Sequence, residues 1–125
     1  MNNPVLRDKV AAIGGDLEQW KANANGVDLN RNFDADWYEF VGSPQPASER
    51  YRGTYPGSEP EAAALIRLTQ DYHLKRTISY HTCSALIYWY FKQSGNVLEE
   101  SKKFADEISS TTGYYLDDDY TAVEQ

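Results

Sequence analysis

The sequence predicts an α/β fold in which a sheet is sandwiched between helices. Three observations carry that expectation. Two capped helical patterns bracket two strand-like runs, an order typical of layered α/β domains. The second run, Leu86 to Phe91 (Leu-Ile-Tyr-Trp-Tyr-Phe), is continuously apolar and aromatic, as expected of a strand covered on both faces. The length of 125 residues, at 14.2 kDa, fits one small domain. Such a domain can bury roughly two-thirds of its extended-chain surface, enough for a core without metal or disulfide staples.

In chain order, residues 1–20 read as an approach segment with a short helix around Val5 to Ile13 that Gly14-Gly15 ends. Asn23-Ala-Asn-Gly26 is a turn, because Asn and Gly tolerate positive φ. Val27-Asp28-Leu29 reads as a short strand end leading into Asn30-Arg31-Asn32-Phe33. From Asp34 to Gly57 the chain is rich in Gly, Pro, Ser and aromatics without a period, and a loop of that length usually serves a function. Ser58 is placed to cap the next helix, with Pro60 in its first turn and Glu61 completing a capping box. Ala62, Leu65, Ile66, Thr69 and Tyr72 or His73 then share a face. Arg76 to Tyr80 is the first strand candidate, and Leu86 to Phe91 the second. A last helix runs from about Val97 to Thr112, with Asn96 as cap and Gly113 as terminator. Its apolar stripe is Val97, Leu98, Ala105, Ile108 and Thr112, while Glu99, Glu100, Lys102, Lys103, Asp106 and Glu107 stay wet. In this layout His81 sits just past the carboxyl end of a strand, where open α/β sheets place ligands.

Composition narrows the function. Nineteen acidic residues against twelve basic ones give a net charge of −7. That surface repels phosphate backbones, so no nucleic-acid partner is expected. No apolar run approaches the roughly eighteen residues of a membrane span, so no membrane partner is expected. Met1-Asn2-Asn3-Pro4 lacks the basic and apolar regions of a signal peptide, which leaves the compartment open. Cys83 is the single cysteine, so no internal disulfide is expected. Aromatic residues reach 14%, with ten tyrosines, a supply that suits a pocket as well as a core.

The densest polar cluster runs from Asp28 to Glu39 and admits two readings. Counted from Asp28, oxygen-bearing side chains fall at positions 1, 3, 5, 7 and 9, with Glu39 at 12, the spacing of a calcium loop. Against it, the sixth position needs Gly and holds Phe33, the upstream flank forms no helix, and Arg31 repels a cation. The other reading starts from Arg31 beside Asn30. A guanidinium fork with a neighbouring amide suits a carboxylate, since the fork makes two parallel charge-assisted bonds and the amide adds a third. Its alternative is an Arg paired with Asp28 or Asp34 to pin the loop.

His81, followed by Thr82, Cys83 and Ser84, is a candidate zinc ligand, but a catalytic zinc needs three protein ligands. His73 has no metal-ligand spacing to it and reads as a cap or core residue. Cys83 reads as a buried small side chain. No Gly-rich phosphate loop is present, and Asp117-Asp118-Asp119 reads as a solvated acidic turn.

Three segments, in this order and spacing, resemble a known family. They are Trp20-Lys-Ala-Asn-Ala-Asn-Gly-Val-Asp-Leu-Asn-Arg-Asn-Phe33, Tyr55-Pro-Gly-Ser-Glu-Pro-Glu61 and Thr77-Ile-Ser-Tyr-His-Thr82. The chain is similar to the middle of a zinc metallocarboxypeptidase of the carboxypeptidase A type, from about Asn3 to Tyr115. The Trp-Lys-Ala-Asn opening is closest to the bacterial branch of γ-D-glutamyl-diaminopimelate peptidases, which trim cell-wall peptides.

The resemblance implies a mixed sheet sandwiched by helices, of the phosphorylase/hydrolase-like kind, and Zn2+ as cofactor. It implies that His81 is the third zinc ligand and that Asn30 and Arg31 grip the substrate's terminal carboxylate. Lys21 falls where carboxypeptidase A has an arginine that polarises the scissile carbonyl, and Cys83 falls at a subsite tyrosine. It implies that zinc and a glutamate base activate water against the peptide carbonyl of a peptide or peptidoglycan stem peptide.

The departures are as informative. The His-x-x-Glu motif that supplies the family's other two ligands is not in this sequence. The family's catalytic glutamate lies beyond the position of Gln125, and its mobile pocket tyrosine belongs near Tyr120 or Glu124. Residues 1–125 are therefore expected to be an internal fragment of a bacterial catalytic domain, cytoplasmic or secreted, with weak or absent zinc binding and no activity alone. The alternatives are a non-catalytic carboxylate-binding module and a calcium-binding loop protein. A cut sheet also predicts self-association through exposed edges.

Overall fold

Pro4 opens helix α1 (Pro4–Ala12), at a position where a missing N–H costs nothing. Gly14, at φ 76°, closes it by donating its N–H to Ala11 O at 3.0 Å. The computed structural model describes residues 4–12, 14, 20–48, 50–82 and 84–117. Ile13 and Gly15 of the predicted helix end lie outside the described residues. The chain divides into two units, Met1–Thr77 and Ile78–Gln125. Among the described residues, no helix is long and apolar enough to cross a membrane.

In the first unit the predicted turn forms. Gly26 donates its N–H to Asn23 O, and the Asn23 side chain accepts from the N–H groups of Asn25 and Val27. The strand end expected at Val27 to Leu29 does not form. Leu29–Arg31 is instead a short 3-10 helix, because the Asp28 carboxylate accepts from Asn30 N at 3.1 Å and turns the chain. The long loop that follows is irregular, with one isolated bridge between Ser43 and Tyr51.

Helix α2 (Pro60–Tyr72) starts one residue later than the capping box predicts, with Glu59 at its N-cap and no side-chain cap of its own. The Ser58 hydroxyl is turned to Asn32 and Glu59 instead. His73 ends the helix in the left-handed conformation, so of the cap and core roles expected of it, it takes the cap. Only part of the predicted stripe is covered: Ala62 is buried and Ile66 half-buried, while Leu65, Thr69 and Tyr72 are exposed.

The second unit is built on a parallel pair. Strand β1 (Leu86–Tyr88) pairs with β2 (Tyr115–Asp117), Leu86 opposite Tyr115 and Tyr88 opposite Asp117. Parallel strands need a crossover, and helix α3 (Gly95–Thr112) supplies it. It begins two residues before the predicted start, with Ser94 rather than Asn96 at the N-cap. It ends as predicted at Gly113, whose N–H bonds Ser109 O at 2.8 Å. Ala105 is its buried residue, and Leu98 and Ile108 are half-buried.

Two strand expectations and one turn expectation are corrected here. Arg76 to Tyr80 is not a strand; among the described residues the only ladder is β1 with β2, and a segment outside a ladder is no strand. The second run is strand for three residues only, and it is not covered on both faces: Tyr88 is 60% exposed. Asp117 is no solvated turn but the last residue of β2, since β1 takes it as a partner; Asp118 and Asp119 lie outside the described residues. What forms is thus a small α/β arrangement with two parallel strands.

Candidate functional site

The 3-10 turn sorts three consecutive polar side chains by exposure. Asn30 is exposed, Arg31 half-buried and Asn32 wholly buried. Arg31 N donates to Asp28 O at 2.9 Å, which fixes the backbone beneath the pair. The Arg31 guanidinium lies over the Phe40 ring, 5.0 Å from its centroid. A guanidinium can bind a carboxylate through charge-assisted hydrogen bonds, and a neighbouring amide can add another.

Asn32 is the base of the turn. Its Nδ2 donates to Arg52 O at 2.9 Å, Ser58 Oγ at 2.9 Å and Tyr55 O at 3.2 Å, and its Oδ1 accepts from Glu59 N at 3.0 Å. Glu59, 6% exposed, is the neighbouring anchor. Its Oε2 accepts from Asn23 Nδ2 at 2.6 Å and Asn25 Nδ2 at 2.8 Å, and its Oε1 from Ser58 Oγ at 3.0 Å. Burial by itself pushes this carboxyl up, but the hydrogen bonds from Asn23, Asn25 and Ser58 outweigh it and hold the pKa below the usual value. The asparagines of the 23–26 turn are thereby tied to the entry of α2.

Across the loop, Arg52 stacks on Trp37, its Cζ 4.0 Å from the ring centroid. Arg52 Nη1 donates to the carbonyls of Trp37 and Phe40, the latter at 2.6 Å, and Trp37 Nε1 donates back to Arg52 O at 3.2 Å.

Lys21 is exposed, two residues before Asn23, in the same unit as Asn30 and Arg31. His81 belongs to the second unit, exposed and in irregular backbone rather than at a strand end, because the strand expected before it is not formed. The calcium-loop reading fails on its flanks: a turn occupies 23–26, and irregular chain rather than helix follows Glu39. Cys83, Tyr120 and Glu124 lie outside the described residues.

A family model described as zinc carboxypeptidase matches residues 12–122. The chain belongs to the zinc carboxypeptidase family. It is 37% identical over 119 residues, 90% of its length, to gamma-D-glutamyl-L-diamino acid endopeptidase 1 of Lysinibacillus sphaericus, covering 29% of that protein. It is 37% identical over 100 residues (78% of this chain, 26% of the relative) to the uncharacterized protein YqgT of Bacillus subtilis strain 168. Carboxypeptidase A1 of Bos taurus is 38% identical over 73 residues, 55% of this chain and 17% of that protein. The chain thus spans less than a third of each of these relatives. No solved structure matches it significantly.

Zinc carboxypeptidases hold their metal with several side chains. Among the described residues, no group of three His, Cys, Asp or Glu side chains is placed to hold a metal ion. A catalytic zinc takes three protein ligands, so His81 and its surroundings do not by themselves fit one, and no zinc-dependent step is assigned to these residues.

The sequence singles out Asn30, Arg31, Lys21 and His81 as candidates, but not the residues that hold the turn. Asn32 escapes it because its side-chain partners lie 20 to 27 positions away. Glu59 does carry a local signal. A residue before proline is driven to extended backbone, which suits an N-cap, and Glu59 sits at φ −91° and ψ 138°.

Proposed function

We propose that residues 1–125 are part of a zinc carboxypeptidase catalytic domain, a mixed sheet sandwiched by helices, that hydrolyses a peptide bond beside a free carboxylate. In this reading Asn30 and Arg31 grip the carboxylate, Lys21 brings positive charge to the developing oxyanion, and His81 is one zinc ligand whose companions come from outside the residues described. Zinc held by His81 and such companions would supply a Lewis acid there. The relative from Lysinibacillus sphaericus is named for a γ-D-glutamyl-L-diamino acid bond, and we take cell-wall stem peptides as the substrate class.

One observation carries the reading: exposed Asn30 and half-buried Arg31 are consecutive on a turn whose next residue, Asn32, is wholly buried and hydrogen-bonded on both ends of its amide. A rigid base beneath a polar pair favours selective capture of a planar anion. A non-catalytic carboxylate-binding module is the second reading, favoured by the finding that, among the described residues, His81 belongs to no group of three metal-ligating side chains.

Both readings require carboxylate binding, and that is measured first. The chain is expected to prefer a peptide with a free terminal carboxylate over its carboxamide, and to lose that preference in Arg31→Ala. It is also expected to hold little zinc and to show no peptidase activity by itself. Hydrolysis that disappears in His81→Ala would overturn that expectation.

A further inference from the structure

The turn at residues 23–26 holds the single Asn-Gly step of the chain, Asn25-Gly26, and that pair carries a chemistry of its own. The backbone nitrogen that follows an asparagine can attack the asparagine's side-chain carbonyl. Glycine in second place hinders the attack least, because it has no Cβ to crowd the ring that forms. The Gly26 N–H gives its proton to a base in solution, and its nitrogen bonds Asn25 Cγ. Nδ2 takes up a proton and leaves as ammonia, and the product is a succinimide. Water then opens either carbonyl of that ring and leaves aspartate or isoaspartate at position 25.

In the closed turn both reacting groups are held. The Gly26 N–H donates to Asn23 O at 3.0 Å, and Gly26 is buried, which keeps base from the nucleophile. The leaving group, Asn25 Nδ2, donates to Glu59 Oε2 at 2.8 Å across 34 positions. A hydrogen bond to a carboxylate is charge-assisted and about twice as strong as a neutral one. The Asn25 N–H is fixed too, donating to Asn23 Oδ1 at 3.0 Å. Ring closure therefore needs the turn to open and Glu59 to release the amide. Neither product can take the old place. Aspartate and isoaspartate have no Nδ2 to donate, and each sets a second carboxylate beside Glu59, which is 6% exposed.

We propose that Asn25-Gly26 is a deamidation site guarded by Glu59: the clasp between this turn and the entry of α2 suppresses succinimide formation, and conversion of Asn25 to a carboxylate breaks the clasp. The modification needs only water and a base, and it is independent of the roles read for Arg31 and His81.

The test incubates the full chain in mildly alkaline buffer, folded and in guanidinium chloride. Trypsin then releases the peptide Ala22–Arg31, and mass spectrometry follows the change of an amide to an acid, with isoaspartate told from aspartate by its separate elution. In denaturant Asn25 is expected to convert ahead of Asn23 and Asn30, which precede Ala24 and Arg31 rather than glycine. Folding is expected to slow the conversion about tenfold to a hundredfold, the factor a hydrogen bond to a charged group sets on opening. Glu59→Ala should recover most of that factor, beyond what its unfolded fraction in a denaturant titration accounts for. If Glu59→Ala does not fold, Glu59→Gln, which keeps an acceptor without the charge, carries the comparison with a smaller acceleration. Asn25→Asp, the product made directly, should unfold at lower denaturant than Asn25→Ala, because only the aspartate adds a charge beside Glu59. Conversion at Asn23 or Asn30 ahead of Asn25 in denaturant, or none at Asn25, overturns the site. Equal rates in the folded and denatured chain, or a Glu59 variant no faster than wild type, overturn the guard. Equal stability of Asn25→Asp and Asn25→Ala overturns the breaking of the clasp by charge.

Discussion

Asn32 Oδ1 accepts the backbone N–H of Glu59 at 3.0 Å, so the residue after the 3-10 turn caps a helix entered 27 positions later. The N–H groups at a helix start have no intrahelical partner, and one of them is satisfied here by a side chain from elsewhere in the fold. On the other side of the same amide, Nδ2 serves two carbonyls and a hydroxyl. Asn32→Leu would leave these buried groups without their partner. It is expected to destabilise the first unit by about 3 kcal/mol, read as a shift in urea midpoint at constant slope. Wild-type stability in that variant would mean that water replaces the amide at little cost.

Gly53 guards the same hub. It sits at φ 85°, and a Cβ there would lie 2.6 Å from Ser58 Oγ and 2.7 Å from Asn32 Nδ2. Both atoms are held by hydrogen bonds, so neither can yield freely. Gly53→Ala combines backbone strain with this clash and is expected to cost about 2–4 kcal/mol. A thermal melt should show the drop. Gly14→Ala, at a similar φ but with nothing within 4 Å of the new Cβ, is the control and should lose only about 1 kcal/mol.

Glu59 makes the first unit acid-sensitive. Its hydrogen bonds hold the folded carboxyl below the usual 4.5, so the unfolded chain takes up the proton first as pH falls. The stabilisation is complete above about 4.5 and fades as pH drops through the lower, folded pKa. Glu59→Gln removes the charge and is therefore expected to be less stable than wild type at neutral pH, with the gap narrowing at about pH 3. Urea titrations at both pH values measure it, and a gap of the same size at each would disprove the linkage.

Whether a feature is legible in the sequence depends on whether its signal is local. The C-termini of α1 and α3 follow from Gly14 and Gly113, because a left-handed stop needs no distant partner. Asn30 and Arg31 stand out as an adjacent amide and guanidinium for the same reason. The N-caps fall one or two residues from their expected places; at α2, Ser58 directs its hydroxyl to Glu59 and Asn32 rather than to the helix backbone. The strands are the least legible: Arg76 to Tyr80 and Leu86 to Phe91 both read as strands, but only the run that finds β2 beside it forms a ladder.

That same pair of strands predicts how the chain behaves in solution. Each of β1 and β2 has a partner on one side only among the described residues, leaving the other row of N–H and C=O groups outside any ladder. Their side chains add apolar area, with Tyr88 60% and Tyr115 75% exposed. An apolar strand with an open edge is a template for another strand, and a second copy of the chain supplies one. Concentration-dependent association is therefore expected in sedimentation equilibrium. Leu86→Lys with Tyr88→Lys should weaken it, because lysines on an edge oppose close approach of a like strand. Arg31→Ala, remote in sequence from both strands, should leave it untouched. A wild-type chain that sediments as a monomer at every concentration would show that these edges do not recruit a partner of their own kind.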